Sequence, residues 1–104
     1  KKKDEIVFVN VSEVASIVAD AELLHITTYK NEKYVINFRL KDIEAKLPFD
    51  KFIRLSRGSL ANIEMFEKVS PMPGGTYLVK LKNGQEISSS RIQSRVLRER
   101  LLKL

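Results

Sequence analysis

Arginine supplies the chemistry that stands out in this sequence. Arg54 and Arg57 stand three residues apart within the stretch Phe52–Asn62, among small polar residues and residues typical of a core. A guanidinium group cannot be buried without a partner, and its planar fork bonds phosphates and base edges bidentately. The spacing predicts a strand that is anchored in the core and projects positive charge toward an acidic ligand. The alternative is a pair of surface ion pairs with Glu44 or Glu64.

Catalytic chemistry is not indicated. His25 is the only histidine and has no cysteine partner, Ser88–Ser90 lack the context of a nucleophile elbow, and no glycine-rich phosphate loop precedes a helix. His25 falls on the polar face of a predicted strand, where a lone histidine is usually a surface side chain. We therefore expect no enzymatic activity, no metal and no cofactor. The absence of cysteine fits a reducing compartment, so we expect a cytoplasmic location.

Composition bounds the size and the partner. The 104 residues, 43% of them hydrophobic, predict a single domain over 1–104. A net charge of +6 favours an anionic partner, most often nucleic acid, although anionic lipid or simple solubility also fits. No apolar run approaches the roughly 20 residues of a membrane span. The chain begins Lys1-Lys2-Lys3 without an initiator Met, so we expect a fragment whose N-terminus continues into a linker or another domain.

The elements that must position the arginines are mainly strands. Alternating and β-branched runs predict eight or more of them, at Glu5–Val9, Val14–Ala19, Leu24–Tyr29, Tyr34–Phe38, the two arms of Phe52–Asn62 around Gly58, Glu64–Ser70, Thr76–Leu81 and Gln85–Ser88. Pro71–Gly75 and Asn83-Gly84 have the composition of turns. Val11–Leu24 could instead form one helix capped by Ser12.

Two helices complete the predicted fold. Leu40, Ile43 and Leu47 have helical spacing before Pro48, which predicts a short helix near 40–47. From Ser90, a plausible N-cap, the period predicts a helix near 91–103, with a buried stripe formed by Ile92, Val96, Leu97 and Leu101. The sequence thus indicates a mainly β, small antiparallel multi-sheet domain. We expect Phe8, Phe38, Phe52 and Tyr77 in its core.

The run F-x-R-x-x-R-x-x-x-x-N, with the Asn83-Gly84 turn and the Ser90-Arg91 pair, resembles the LytTR family of bacterial DNA-binding domains. Phe52, Arg54, Arg57 and Asn62 match the pattern, whereas Ser56, Gly58, Ser59 and Ala61 depart from it. The resemblance runs from about Val9 to about Leu102. It implies a mostly β fold, favours a strand over a helix at Val14–Ala19, and suggests the output half of a response regulator that activates transcription.

The resemblance also implies which residues touch DNA. Base contacts map to Glu22, Arg39 and Arg91, and backbone contacts are expected from Arg54, Arg57, Asn62, Ser90 and Arg95. Loops would enter successive major grooves, and members often bind direct repeats as pairs. Arg39 and Arg91 suit guanine O6 and N7, while Glu22 could accept from cytosine N4 but is repelled by phosphate. A cation in the first turn of a helix opposes the helix dipole, which fits an Arg91 that faces DNA. Arg98 is expected to be solvated.

We therefore expect sequence-specific binding of double-stranded DNA by a bacterial transcription regulator, with an upstream receiver or sensor domain in a two-component system. The rival is a protein-interaction β module that uses exposed sheet edges. Single-stranded RNA binding is a third option, but it needs exposed aromatic side chains for stacking. The four aromatics assigned to the core leave few for that purpose.

Overall fold

The computed structural model describes residues 6–103, in which eight strands form two antiparallel sheets. The strands are β1 (Val14–Asp20), β2 (Leu23–Thr28), β3 (Lys33–Ile36), β4 (Phe52–Ser56), β5 (Ser59–Asn62), β6 (Phe66–Met72), β7 (Thr76–Leu81) and β8 (Glu86–Ser88). One sheet has the order β3-β2-β1-β5-β4, and the other has the order β6-β7-β8. The predicted mainly β, antiparallel multi-sheet fold is confirmed.

Strand β1 lies at the centre of the five-stranded sheet, between β2 and β5. Val14, Ala15, Ser16 and Ile17 are all buried, because both faces of this strand are covered. A strand buried on both faces reads as a continuous apolar run, which is the pattern that also resembled a helix. The strand interpretation of this segment is correct.

The segment before β1 differs from the prediction of a strand at Glu5–Val9. Glu5 lies outside the described residues, and residues 6–10 belong to no regular element. The Asn10 side-chain oxygen accepts a hydrogen bond from the Ser12 amide and so caps a 3-10 turn over Val11–Glu13. A β-branched composition is therefore not sufficient here, because no neighbouring strand offers its hydrogen bonds to this segment.

Two aromatic residues assigned to the core lie at the surface. Phe8 is 92% exposed and Phe38 is 40% exposed. Both lie outside the strands, since β3 ends at Ile36 and Phe8 precedes β1. The alternation of a strand therefore does not turn their rings toward the core. The other two assignments are confirmed, because Phe52 and Tyr77 are buried.

The first strand of the three-stranded sheet starts and ends later in the sequence than predicted. Ile63–Met65 forms a 3-10 turn rather than an extended segment, and β6 then continues through Pro71 to Met72. Proline is tolerated there because β6 is an edge strand, whose outer N–H groups have no ladder partner. The turn is Pro73–Gly75, in which Gly74 and Gly75 have φ of 86° and 82°. A hairpin turn at Asn83-Gly84 is confirmed, although of these two residues only Gly84, with a φ of 96°, adopts the positive φ that a two-residue turn requires of both.

The first predicted helix is shorter than expected, whereas the C-terminal one is present but changes from α-helical to π-helical winding. Helix α1 covers Leu40–Glu44, and residues 45–47 continue as turns closed by bonds such as that from the Leu47 amide to the Glu44 carbonyl. Helix α2 covers Arg91–Leu97 and continues as a π-helical turn over Arg98–Leu102.

The core is divided between the two faces of the five-stranded sheet. On one face β7 and α2 pack on β4 and β5, which buries Ala15, Ile53, Leu55, Ala61, Tyr77, Val79, Leu81 and Leu97. On the other face α1 packs on the sheet, which buries Val14, Ile17, Leu24, Leu40, Phe52 and Leu60. In β4, Phe52 belongs to the second cluster and Ile53 and Leu55 to the first, so the hairpin separates the two clusters and packs against both.

Candidate nucleic-acid interface

Three chain segments with candidate residues meet at one end of the five-stranded sheet. The β4–β5 turn lies beside the end of β1, because the Ala19 amide donates to the Gly58 carbonyl at 2.8 Å. The start of α2 lies beside the same hairpin, because the Ser90 amide donates to the Leu55 carbonyl at 2.8 Å. The β1–β2 turn, the β4–β5 turn and the Ser90-Arg91 pair are therefore neighbours, although they are far apart in sequence.

Glu22 and Arg39 line a common cavity. Glu22 lies in the β1–β2 turn, and Arg39 precedes α1 as its N-cap residue with an extended backbone. The cavity has a volume of about 630 Å³, and its lining also includes Asn37, Phe38 and Asp42. Arg39 is exposed and makes no side-chain cap hydrogen bond. A cation and two carboxylates thus share one solvent-facing recess with an amide and an aromatic ring.

Arg54 is engaged within the protein. Its Nη2 lies 3.0 Å from Glu44 Oε1, its Nε donates to the same oxygen, and its Nη1 donates to the Arg57 carbonyl at 2.8 Å. The side chain is only 21% exposed. The ion pair with Glu44, which was the alternative interpretation of this residue, is thus what the structure contains. Arg54 ties α1 to the β4–β5 turn and leaves the Arg57 side chain at the exposed tip.

Asn62 is held inside the domain, so the structure gives no support to the DNA contact expected of it. It is 1% exposed, its Nδ2 donates to the Val14 carbonyl, and its Oδ1 accepts the Glu64 amide. Both halves of the amide are satisfied inside the domain. The side chain links β5 to β1 and caps the following 3-10 turn, which explains an Asn at this position without any ligand.

Helix α2 begins with the predicted cap but buries a different stripe. Ser90 Oγ accepts the Gln93 amide at 3.2 Å, and Arg91 and Arg95 are exposed. Ile92, which was expected to be buried, is 79% exposed, whereas Ser94 and Leu97 are fully buried. Ser94 can be buried because its hydroxyl donates to the Ser90 carbonyl and is hydrogen-bonded to the Ser89 hydroxyl. A polar residue with both hydrogen bonds made therefore takes a place where the pattern predicted an apolar one.

A groove beside α2 was not anticipated. It separates the Pro73–Gly75 turn from the helix, has a volume of about 590 Å³, and is lined by Gly74, Gly75, Arg91, Ile92, Arg95, Val96 and Arg98. We call it the arginine groove. Arg98, which was expected to be solvated, lines it and donates a long bond of 3.5 Å to the Gly75 carbonyl. The sequence feature that could have indicated this groove is the helical spacing of Arg91, Arg95 and Arg98.

Other exposed groups are accounted for within the fold. Arg100 lies 4.5 Å from the centre of the Phe49 ring and donates to the Phe49 carbonyl. His25 Nε2 lies 3.9 Å from Asp20 Oδ2 on the half-exposed surface of β2. Residues 6–103 contain no group of histidines, cysteines and carboxylates that could hold a metal ion. Among these residues no helix is long and apolar enough to cross a membrane.

These features define a class of protein. A small antiparallel β scaffold gathers exposed arginines from several chain segments at one end, and such a cluster of positive charge is typical of domains that bind nucleic acid. The chain belongs to the LytTR family: the family model for the LytTr DNA-binding domain matches residues 4–102. The resemblance noted in the sequence is thereby confirmed.

Several known proteins are similar to this chain. An uncharacterised HTH-type transcriptional regulator of Staphylococcus aureus is 34% identical over 98 residues, covering 93% of this chain and 65% of that protein. The sensory transduction protein LytT of Bacillus anthracis is 28% identical over 99 residues, covering 95% of this chain and 40% of that protein. The chain thus spans about two fifths to two thirds of the length of these relatives.

A solved structure shares the fold. It is the LytTr DNA-binding domain of a Bacillus cereus protein provisionally described as a methyl-accepting/DNA response regulator, with a TM-score of 0.88 and 24% identity. The alignment covers 97% of this chain and 92% of that one. Although the S. aureus relative is called HTH-type, the α-helices α1 and α2 of the described residues are separated by five strands rather than by a short turn. Residues 6–103 therefore form a β scaffold in which α1 and α2 are not joined as a helix-turn-helix.

Proposed function

We propose that this domain binds double-stranded DNA in a sequence-specific manner, as part of a bacterial transcription regulator. The observation that carries the proposal is the gathering of the exposed Arg57 and Arg91 at one end of a fold shared with LytTr DNA-binding domains. Arginine is the residue best suited to phosphates and to guanine edges. In the described residues, neither of these guanidinium groups has an acidic partner within ion-pair distance.

The roles of the candidate residues follow from their exposure. Arg39 and Arg91 are free to read bases, and Glu22 shares the cavity of Arg39, where it can accept from an exocyclic amine. Arg57, Ser90 and Arg95 are placed for backbone contacts, which fix the register. Arg54 is a positioning residue in this proposal, because it holds the carbonyl of Arg57.

The shape of the domain is compatible with loops that enter successive major grooves. Its principal extents are 47 × 24 × 23 Å, and one turn of duplex DNA is about 34 Å long. The long dimension therefore exceeds one helical repeat, which is long enough for contacts from this domain to fall in two neighbouring grooves. Binding as pairs on direct repeats extends this arrangement and is part of the proposal. So is the upstream receiver or sensor domain.

The rival function as an edge-pairing module has less support. In the five-stranded sheet the edge strand β3 is four residues long, and the other edge strand, β4, contacts α2. In the three-stranded sheet β8 has three residues, and β6 carries Pro71 and the charged Glu67 and Lys68. Short strands, proline and charge are the features that discourage edge pairing.

Selection from a random duplex pool tests the proposal. We expect a motif to emerge, and we expect affinity for it to fall with salt at a log-log slope of roughly −4 to −5, as four to six phosphate contacts require at about 0.9 per contact. A single strand of the same sequence is the control. Binding of the single strand as tight as that of the duplex, or a slope near zero, would contradict the proposal. The exposed Phe8, Phe49 and Tyr29 make this control necessary.

A further inference from the structure

We propose that the arginine groove binds the sugar-phosphate backbone of duplex DNA outside the bases that Arg91 contacts. The inference rests on the proposed function and deepens it, because it assigns a separate surface to the phosphates that flank the recognised site. It adds Arg98 and the Gly74-Gly75 turn to the interface.

The charge of the groove is uncompensated. Arg91, Arg95 and Arg98 follow one another at i, i+4 and i+7 along one side of α2 and its π-helical continuation. No carboxylate lines the groove, and none of these arginines takes part in an ion pair among residues 6–103. Like charges at these spacings destabilise a helix. The arrangement therefore has an electrostatic cost that an anionic ligand would remove.

The dimensions of the groove fit a run of phosphates. At 1.5 Å per residue, the seven steps from Arg91 to Arg98 rise by about 10 Å along the helix axis. Phosphates of one strand advance by about 3.4 Å each along a duplex, so Arg95 and Arg98 lie about two and about three phosphates beyond Arg91. Arg91 lies at the end of the groove nearest the β4–β5 turn, which makes the groove continuous with the proposed base-contacting surface.

The other lining residues suit the same ligand. Gly74 and Gly75 adopt left-handed conformations and present no side chain, so the β6–β7 turn leaves room for a backbone to approach. Ile92 is 79% exposed and lies with Val96 among the arginines, where the apolar face of a deoxyribose could pack. An acidic peptide is the competing occupant, but the groove offers no edge strand and α2 has no long apolar stripe for a partner helix.

The test compares Arg95→Ala/Arg98→Ala with the parent in the full 104-residue chain. Affinity is measured at 50 to 200 mM KCl for the selected duplex and for a scrambled duplex. We expect the salt slope to become less steep by roughly 2, one unit for each lost phosphate contact, on both duplexes. We also expect the selected-to-scrambled ratio to stay the same, because phosphate contacts carry no sequence information.

Shortening the duplex localises the contact. The flank is removed three base pairs at a time, from one end or from the other. Removal of the flank that contacts the groove should abolish the difference in affinity between the double variant and the parent. Removal of the opposite flank should leave that difference unchanged. A difference that persists in both series would overturn the groove assignment, because it would reflect general charge.

Two further variants test whether the position of the charge matters and whether the charge alone is enough. Lys82→Ala removes an exposed cation at the far end of β7, about 20 Å from the β6–β7 turn, and should leave the slope closer to that of the parent than the double variant does. Arg95→Lys/Arg98→Lys should retain most of the slope, because a point charge still binds phosphate. Equal slopes for the double alanine variant and Lys82→Ala would overturn the proposal.

The failure of this inference can be told from the failure of the proposed function. If the parent selects no duplex motif, the proposed function fails. If the parent selects a motif but Arg95→Ala/Arg98→Ala behaves as the parent, only the groove assignment fails. A double variant with unchanged DNA binding that loses affinity for a fluorescent poly-glutamate peptide would assign the groove to an acidic protein partner and overturn the inference.

Discussion

Replacement of Arg91 by alanine separates folding from recognition most clearly. The side chain is exposed and has no acidic partner among residues 6–103. It stands in the first turn of α2, where the dipole disfavours a cation by about 0.3–1 kcal/mol. It is also four residues from Arg95, a like-charge spacing that costs about 0.2–0.5 kcal/mol. The variant should therefore be as stable as the parent or slightly more stable.

The effect on binding should have the opposite sign. A bidentate bond from an arginine to a guanine is worth roughly 1–3 kcal/mol of discrimination against other bases. Arg91→Ala should therefore lose about 5- to 150-fold in affinity for the preferred duplex while it retains most of its affinity for a scrambled one. Arg91→Lys should rescue only part of the loss, because a point charge does not reproduce the planar fork.

Two measurements at one salt concentration are needed. The melting temperature should be unchanged or raised by a few degrees, since 1 kcal/mol corresponds to roughly 4–8 °C in a domain of this size. The ratio of specific to non-specific affinity should fall. An unchanged ratio would show that Arg91 reads no base, and a variant that unfolds would show that the residue is structural. Lys82→Ala, which removes a distant exposed cation, is the matched control.

Three other substitutions test the assignments around the β4–β5 hairpin. Arg57→Ala should weaken specific and scrambled duplexes about equally and make the salt slope less steep by roughly one, and a loss confined to the specific duplex would refute a backbone role. Phe52→Ala should cost about 3–5 kcal/mol, because the ring is 5% exposed in the core; a melting temperature equal to that of the parent would refute this placement. Asn62→Ala should cost about 1–3 kcal/mol for each partner left unsatisfied, the Val14 carbonyl and the Glu64 amide. The fraction of Asn62→Ala that folds should bind DNA as the parent does. A variant that melts normally but binds DNA more weakly would show that Asn62 contacts DNA.

The hairpin around Gly58 and the Asn83-Gly84 turn could be predicted from the sequence because local rules decide them. Alternation of apolar residues and small or polar turn residues act within a few positions of the chain, and Gly84 also adopts a positive φ of 96°, whereas Gly58 does not. The same local rules found β7 and the Ser90 cap of α2. The family pattern carried by Phe52, Arg54, Arg57 and Asn62 was also visible in the sequence.

Tertiary structure decided which members of that pattern remain available to a ligand. Arg54 and Asn62 match the pattern as well as Arg57 does, but Glu44 and the backbone of Val14 occupy them. These partners are 10 and 48 residues away, so the sequence offered Glu44 only as one of two alternative partners and gave no indication of Val14. Ile92 was misplaced for a related reason, because the buried face of α2 is set by the serine hydrogen bonds at its start.

The arginine groove shows the same division. The sequence by itself determined that three arginines would recur along one side of the C-terminal helix, because helical periodicity is a local property. Only the tertiary structure placed the Pro73–Gly75 turn opposite them, about 20 residues away in the chain, since the β6–β7 hairpin packs where the three-stranded sheet meets the helix. Side-chain charge is encoded residue by residue, whereas the concave surface that concentrates it arises from long-range packing.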